Sequence, residues 1–109
     1  MDRLTQLLSF VAESPQDPFL RYALTMEYLK VEDMEKAGQG FRDLVENFSD
    51  YVGTYYHYGK FLEKQDKKEE ALNIYQQGML VAREMRNMHA LGELQNAYNL
   101  ALGFEDDDY

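Results

Sequence analysis

A displacement of 34 residues lays much of this chain over itself. It carries Leu24 onto Tyr58, Thr25 onto Gly59, Tyr28 onto Leu62, Ala37 onto Ala71, Phe41 onto Tyr75 and Leu44 onto Gly78. Large residues mostly stay large and small ones mostly stay small. The same displacement run backwards places Phe41 on Leu7 and Leu44 on Phe10, so the first segment reads as the second half of an incomplete repeat. A period of this length means that each unit is one supersecondary element. Such a unit cannot cover its own apolar face, so neighbours must stack, and about three are wanted for stability.

Within the period the pattern is helical. Leu4, Leu7, Leu8 and Val11 fall at i, i+3, i+4 and i+7, one apolar stripe of a helix. Further stripes run through Leu20, Ala23, Leu24 and Tyr28; Ala37, Phe41, Leu44, Val45 and Phe48; Tyr55, Tyr58, Gly59 and Leu62; Ala71, Tyr75, Gly78, Met79 and Ala82; and Leu91, Leu94, Tyr98, Ala101 and Leu102. The two prolines, Pro15 and Pro18, both sit between the first and second stripes. Pro18 suits a first helical position with Asp17 as its cap, and Asp33 is placed to cap the third helix. No segment alternates with period two between turn signals, so no strand is expected.

The pattern resembles the tetratricopeptide repeat, a 34-residue helix-turn-helix, in a small protein of the bacterial type. Leu24 and Tyr28 match its first-helix core positions, and Ala37 with Phe41 its second-helix pair of Ala and an aromatic. Tyr55, Tyr58, Gly59 and Leu62, then Ala71 with Tyr75, match the next copy, and Pro15 stands where the consensus proline closes a repeat. Arg21 replaces the usual large aromatic, Thr25 the usual Gly or Ala, and Ser49 and Arg83 the closing proline. The last helix keeps the Leu-to-aromatic spacing, through Leu94 and Tyr98, only if its frame starts at Met88. The resemblance implies an all-α fold of about six helices, a right-handed α-solenoid of antiparallel helix pairs. Its expected parts are a helix over 2–14, repeats over 18–51 and 52–85, a capping helix over 88–103 and an acidic tail over 104–109, together one domain.

Composition narrows the function. The net charge is −9, with 20 Asp and Glu against 11 Lys and Arg. A chain this acidic repels phosphate backbones, and its basic residues form no long run, so nucleic acid is not an expected partner. Cysteine is absent, which removes disulfides, thiolate metal sites and cysteine nucleophiles. The N-terminal residues lack the pattern of a signal peptide, and no apolar run reaches the length of a membrane span. The expected setting is soluble and cytoplasmic, away from membranes.

Catalytic apparatus is equally hard to find. His57 and His89 are the only histidines and lie in no metal motif; Glu93, four residues after His89, makes a pairing common on solvated helices. Ser9, Ser14 and Ser49 lack a nucleophile elbow, and Gly38-Gln39-Gly40 lacks the final glycine of a dinucleotide loop. The tail from Glu105 to Tyr109 reads as a solubilising end, without the turn glycines of a calcium loop. The chain is read as noncatalytic, with no cofactor and no metal.

Recognition has better support. Phe19, Tyr22, Met26 and Leu29 form a second apolar stripe beside the core stripe of their helix, leaving little of it polar. In the resembled family the first helices of successive repeats line a concave groove that takes peptides or helices of partners. The positions that match it are Phe19, Tyr22, Met26, Leu29 and Lys30, then Tyr56, Lys60, Glu63 and Lys64, then His89 and Asn96 from the capping helix. Tyr and Met suit such a surface, the one offering area with a polar handle and the other an adaptable shape. Tyr22 and Met26 stand where some family members place the Lys and Asn that clamp a C-terminal carboxylate, which argues against that ligand, while Lys30, Lys60 and Lys64 make the groove less acidic than the rest of the chain and leave an acidic or mixed peptide open. The expected function is therefore a protein-interaction module that binds a peptide or helix of another protein. The alternative is a homodimer or assembly subunit that closes on itself through the same apolar surface.

Overall fold

The computed structural model describes residues 2–103. Among these there are six helices and no strand: α1 (Arg3–Glu13), α2 (Pro18–Lys30), α3 (Met34–Asn47), α4 (Gly53–Lys64), α5 (Lys68–Glu84) and α6 (Met88–Leu102). None is long and apolar enough to cross a membrane. The acidic segment 104–109 lies outside the described residues.

Short polar side chains start four of the six helices, each accepting a hydrogen bond from a backbone N–H that the helix leaves without a partner. Asp2 accepts from Thr5 at 2.8 Å, Asp17 from Phe19 at 2.9 Å, Asp33 from Lys36 at 3.2 Å and Asn87 from Ala90 at 3.0 Å. Helix α5 has no side-chain cap and carries Glu69 and Glu70 in its first turn, where negative charge meets the positive end of the helix dipole.

Three of the turns are closed in one way. The N–H of Asp33 donates to Tyr28 O at 2.9 Å, that of Lys67 to Leu62 O at 2.9 Å and that of Asn87 to Ala82 O at 2.8 Å. This is the six-residue loop of a Schellman motif, which needs a residue in the left-handed region just before the donor. Glu32 (φ 63°), Asp66 (φ 61°) and Arg86 (φ 57°) occupy it. Glu32 and Asp66 are separated by the same 34 residues as the core positions, so the turn repeats along with the helices.

The chain divides into two compact units, Met1–Tyr51 and Val52–Tyr109. In the first, α2 packs against both α1 and α3. Leu7, Thr25, Ala37, Phe41 and Leu44 are buried there. Leu8 remains 46% exposed although it lies on the expected stripe of α1. Within its unit α1 has only α2 as a substantial neighbour, and one neighbour covers a narrower stripe than two would. Arg21 answers the missing aromatic. Its Nε donates to the Pro15 carbonyl at 2.7 Å, its Nη1 to Asp43 at 3.0 Å, and its guanidinium lies 5.6 Å from the centre of the Phe48 ring. One side chain thus fastens the chain before α2 to α3, through charge-assisted bonds and a cation–π contact.

In the second unit α4, α5 and α6 each pack against the other two. All four stripe residues of α4 and all five of α5 are buried, with Leu94, Ala97 and Ala101 from α6. Packing here pairs large with small. A β carbon on Gly78 would lie 2.5 Å from Tyr55 Cβ and 3.0 Å from Leu94 Cδ1. The same two repeat positions in the first unit hold Arg21 and Leu44. With Leu44 filling the interior, the side chain at 21 turns instead to Asp43 and Phe48. Leu102, the last residue of α6, is 41% exposed and Tyr98 is half-buried, so the end of that stripe is less covered than its middle.

Candidate functional site

Helix α4 presents a mixed stripe. Gly53, Tyr56, His57 and Lys60 follow at i, i+3, i+4 and i+7, on the side away from Tyr55 and Leu62, which are buried. The rings of Tyr56 and His57 are 5.3 Å apart and nearly perpendicular, at 88°. Lys60 Nζ lies 5.6 Å from the centre of the Tyr56 ring and 3.9 Å from a Glu63 carboxylate oxygen. The hydroxyl of the fully buried Tyr75, on α5, donates to that same carboxylate. Burial is the main cause that raises the Tyr75 pKa above its ordinary value, and the bond to Glu63 adds to it. Glu63 is therefore already engaged from two sides, and Tyr56 and Lys60 carry the accessible part of this face.

Beside it α4 and α6 enclose a cleft of about 230 Å³. Helix α4 and the residue before it supply Val52, Gly53, Tyr56 and His57, and α6 supplies Ala90, Glu93 and Leu94. Leu94 is anchored in the core beside Gly78, which sets the register that brings Glu93 to the cleft wall. Burial lowers the His57 pKa, and the negative charge of Glu93 opposes this in part. His89 does not line the cleft; its imidazole stands 86% exposed, 3.5 Å from Glu93. Asn96 and Lys64 are also exposed and outside it.

In the first unit the second stripe of α2 is only partly covered. Phe19 is 58% exposed, whereas Tyr22, Met26 and Leu29 are half-buried and Lys30 is exposed in the last turn. The Tyr22 and Tyr51 rings meet at 5.6 Å with a tilt of 50°. Burial raises both phenol pKa values, helped at Tyr22 by Tyr51 and at Tyr51 by Asp17. Both hydroxyls keep their protons at neutral pH.

Spacing in the sequence had pointed to Tyr56, Lys60 and Glu63. It had not pointed to His57, Ala90 or Glu93 as parts of a site. The α4 stripe that contains His57 is not apolar, so a search for apolar periodicity passes over it. Ala90, Glu93 and Ala97 also share a face of α6, at i, i+3 and i+7, a signal that the Leu94–Tyr98 frame obscured. Among the described residues no group of three or more His, Cys, Asp or Glu could hold a metal ion.

No family model matches the chain, and no curated protein matches it. Solved structures do. The solution structure of a tetratricopeptide repeat domain protein from Salinibacter ruber is 46% identical, with a TM-score of 0.80, over 88% of this chain and 97% of that one. A crystal structure of a tetratricopeptide repeat domain protein from Salinibacter ruber is 48% identical, with a TM-score of 0.77, over 82% of this chain and 100% of that one. A Bordetella parapertussis protein, 20% identical with a TM-score of 0.78 over 94% of this chain and 89% of its own, shares the fold. With near-half identity over almost the whole of the Salinibacter domain, and with the repeated helix pairs and turns described above, the chain belongs to the tetratricopeptide repeat family.

Proposed function

We propose that the chain is a noncatalytic interaction module that takes a peptide or helix of a partner protein on first-helix faces, that of α2 in one unit and that of α4 in the other, each by itself. The observation that carries this reading is the set of aromatic and flexible side chains left accessible there: Phe19 at 58% exposure, half-buried Tyr22 and Met26, and Tyr56 beside a cleft. Aromatic side chains dominate recognition surfaces because they give much contact area for little lost entropy, and Met adapts its shape to what it meets. The test compares partner capture, from a lysate of the source organism, by the wild type and by Tyr22→Ala and Tyr56→Ala. Each variant should retain at most about a tenth of the captured partner, the effect of losing a contact worth 1.4 kcal/mol or more, with an unchanged circular dichroism spectrum. Undiminished capture by both variants sinks the reading.

Self-assembly is the second reading, favoured by the exposure of Leu8, Phe10 and Phe19 at 46, 48 and 58% in one unit. Sedimentation over a wide concentration range tests it. A dimer that Met26→Lys dissociates supports closure through α2, and a monomer at every concentration removes this reading.

A further inference from the structure

The cleft between α4 and α6 is too small for a whole small-molecule ligand, whose pockets span about 300 to 1,000 Å³. At about 230 Å³ it suits one side chain. Its lining is mostly uncharged: Val52 and Leu94 are apolar, Tyr56 offers a phenol ring, and burial shifts the His57 imidazole toward its neutral form. Glu93 is the single carboxylate of the lining, and no Lys or Arg accompanies it. Its side chain is 54% exposed, so the carboxylate keeps open directions for a ligand, and its neighbour His89 is an exposed imidazole that competes weakly. Lys60, the nearest cation on α4, is drawn toward Glu63 on the following turn and does not line the cleft. The net charge of −9 adds a long-range field that attracts cationic segments.

We propose that this cleft is a subsite for one cationic side chain, a lysine or arginine of a partner segment, with its charged head on Glu93 and its apolar stem along the Tyr56 ring. The inference rests on the reading of the chain as a peptide-binding module and names the chemistry of the partner. A stem of methylene groups buries against Tyr56 and Val52 while the head stays at the half-exposed carboxylate, an arrangement that long basic side chains favour.

The experiment titrates the isotope-labelled full chain with three blocked heptapeptides of Gly and Ser that carry Arg, Leu or Glu at the centre, followed by amide chemical shifts. The Arg peptide should shift the amides of Tyr56, His57 and Glu93 saturably, and the Leu and Glu peptides should not. Glu93→Gln, an isosteric change at an exposed position, should weaken the Arg peptide about threefold, the magnitude expected for a partly exposed ion pair. Equal shifts from the Leu or Glu peptide, an unaltered titration in Glu93→Gln, or no shift with any peptide overturns the cationic subsite. These results leave the interaction reading to its own test, since that one falls only if the Tyr22 and Tyr56 variants capture the partner undiminished.

Discussion

Gly59 and Tyr75 fit together as a ring laid on a bare backbone: a β carbon at Gly59 would come within 2.1 Å of Tyr75 Cε1 and within 2.5 Å of its Cζ. The ring cannot withdraw easily, because Tyr75 is fully buried and its hydroxyl is tied to Glu63. The Gly59→Ala substitution should therefore destabilise the fold by about 2 kcal/mol, the usual cost of overpacking, although Ala is the better helix former. Urea denaturation followed by circular dichroism measures this, and a variant as stable as the wild type would show that the contact is not tight.

Gly92 provides the contrasting case. It lies within α6, is exposed, and has open space where a β carbon would stand. Gly92→Ala should raise stability by about 1 kcal/mol, because helix propensity is the only factor that changes. The two substitutions are chemically identical and should shift the denaturation midpoint in opposite directions.

Thr54 is fully buried, and among the described residues its hydroxyl has no hydrogen-bond partner. A buried hydroxyl without a partner costs about 1 to 3 kcal/mol relative to an apolar group of the same shape. Thr54→Val should accordingly raise the thermal midpoint, and a lowered midpoint would reveal a partner for the hydroxyl.

Tyr75 makes stability depend on alkaline pH. Its pKa is raised in the folded state by burial and by Glu63, so the folded chain holds a proton that the unfolded chain releases near pH 10. The stabilisation is fully present below pH 10 and is lost as pH rises above it. Tyr22 and Tyr51 shift in the same direction and contribute to the same slope. Tyr75→Phe should flatten the decline in part, while lowering stability at pH 7 by about 1.5 kcal/mol through the lost hydrogen bond to a carboxylate. Unfolding free energies of both proteins at pH 8 and pH 11 test the sign; equal slopes would remove Tyr75 from the explanation.

The helices were legible because their signals are local. Apolar residues at helical spacing and the caps Asp17 and Asp33 depend only on near neighbours in sequence, and the structure has them as expected. The turn conformations were not legible: Glu32, Asp66 and Arg86 are not glycine or asparagine, the residues that usually announce a left-handed position. Nor could the sequence show that Glu63 is taken by Tyr75, since twelve residues separate them and only the packing of α4 on α5 brings them together. On the candidate site, Tyr56 and Lys60 followed from the frame of the repeat. Glu93 required the register of α6, which the seat of Leu94 beside Gly78 fixes and which the Leu94–Tyr98 frame concealed.

The three Schellman turns also keep the contacts of the chain local. Each closes by backbone bonds between residues five apart, so every helix pair it joins forms contacts that are close in sequence. Short-range contacts need little loop closure, and helical chains rich in them fold in microseconds to milliseconds. The closing bonds come from the main chain, so the same turn forms with the acidic Glu32 and Asp66 and with the basic Arg86. What these turns ask of positions 32, 66 and 86 is a backbone conformation rather than a side-chain contact, and residues of either charge meet it.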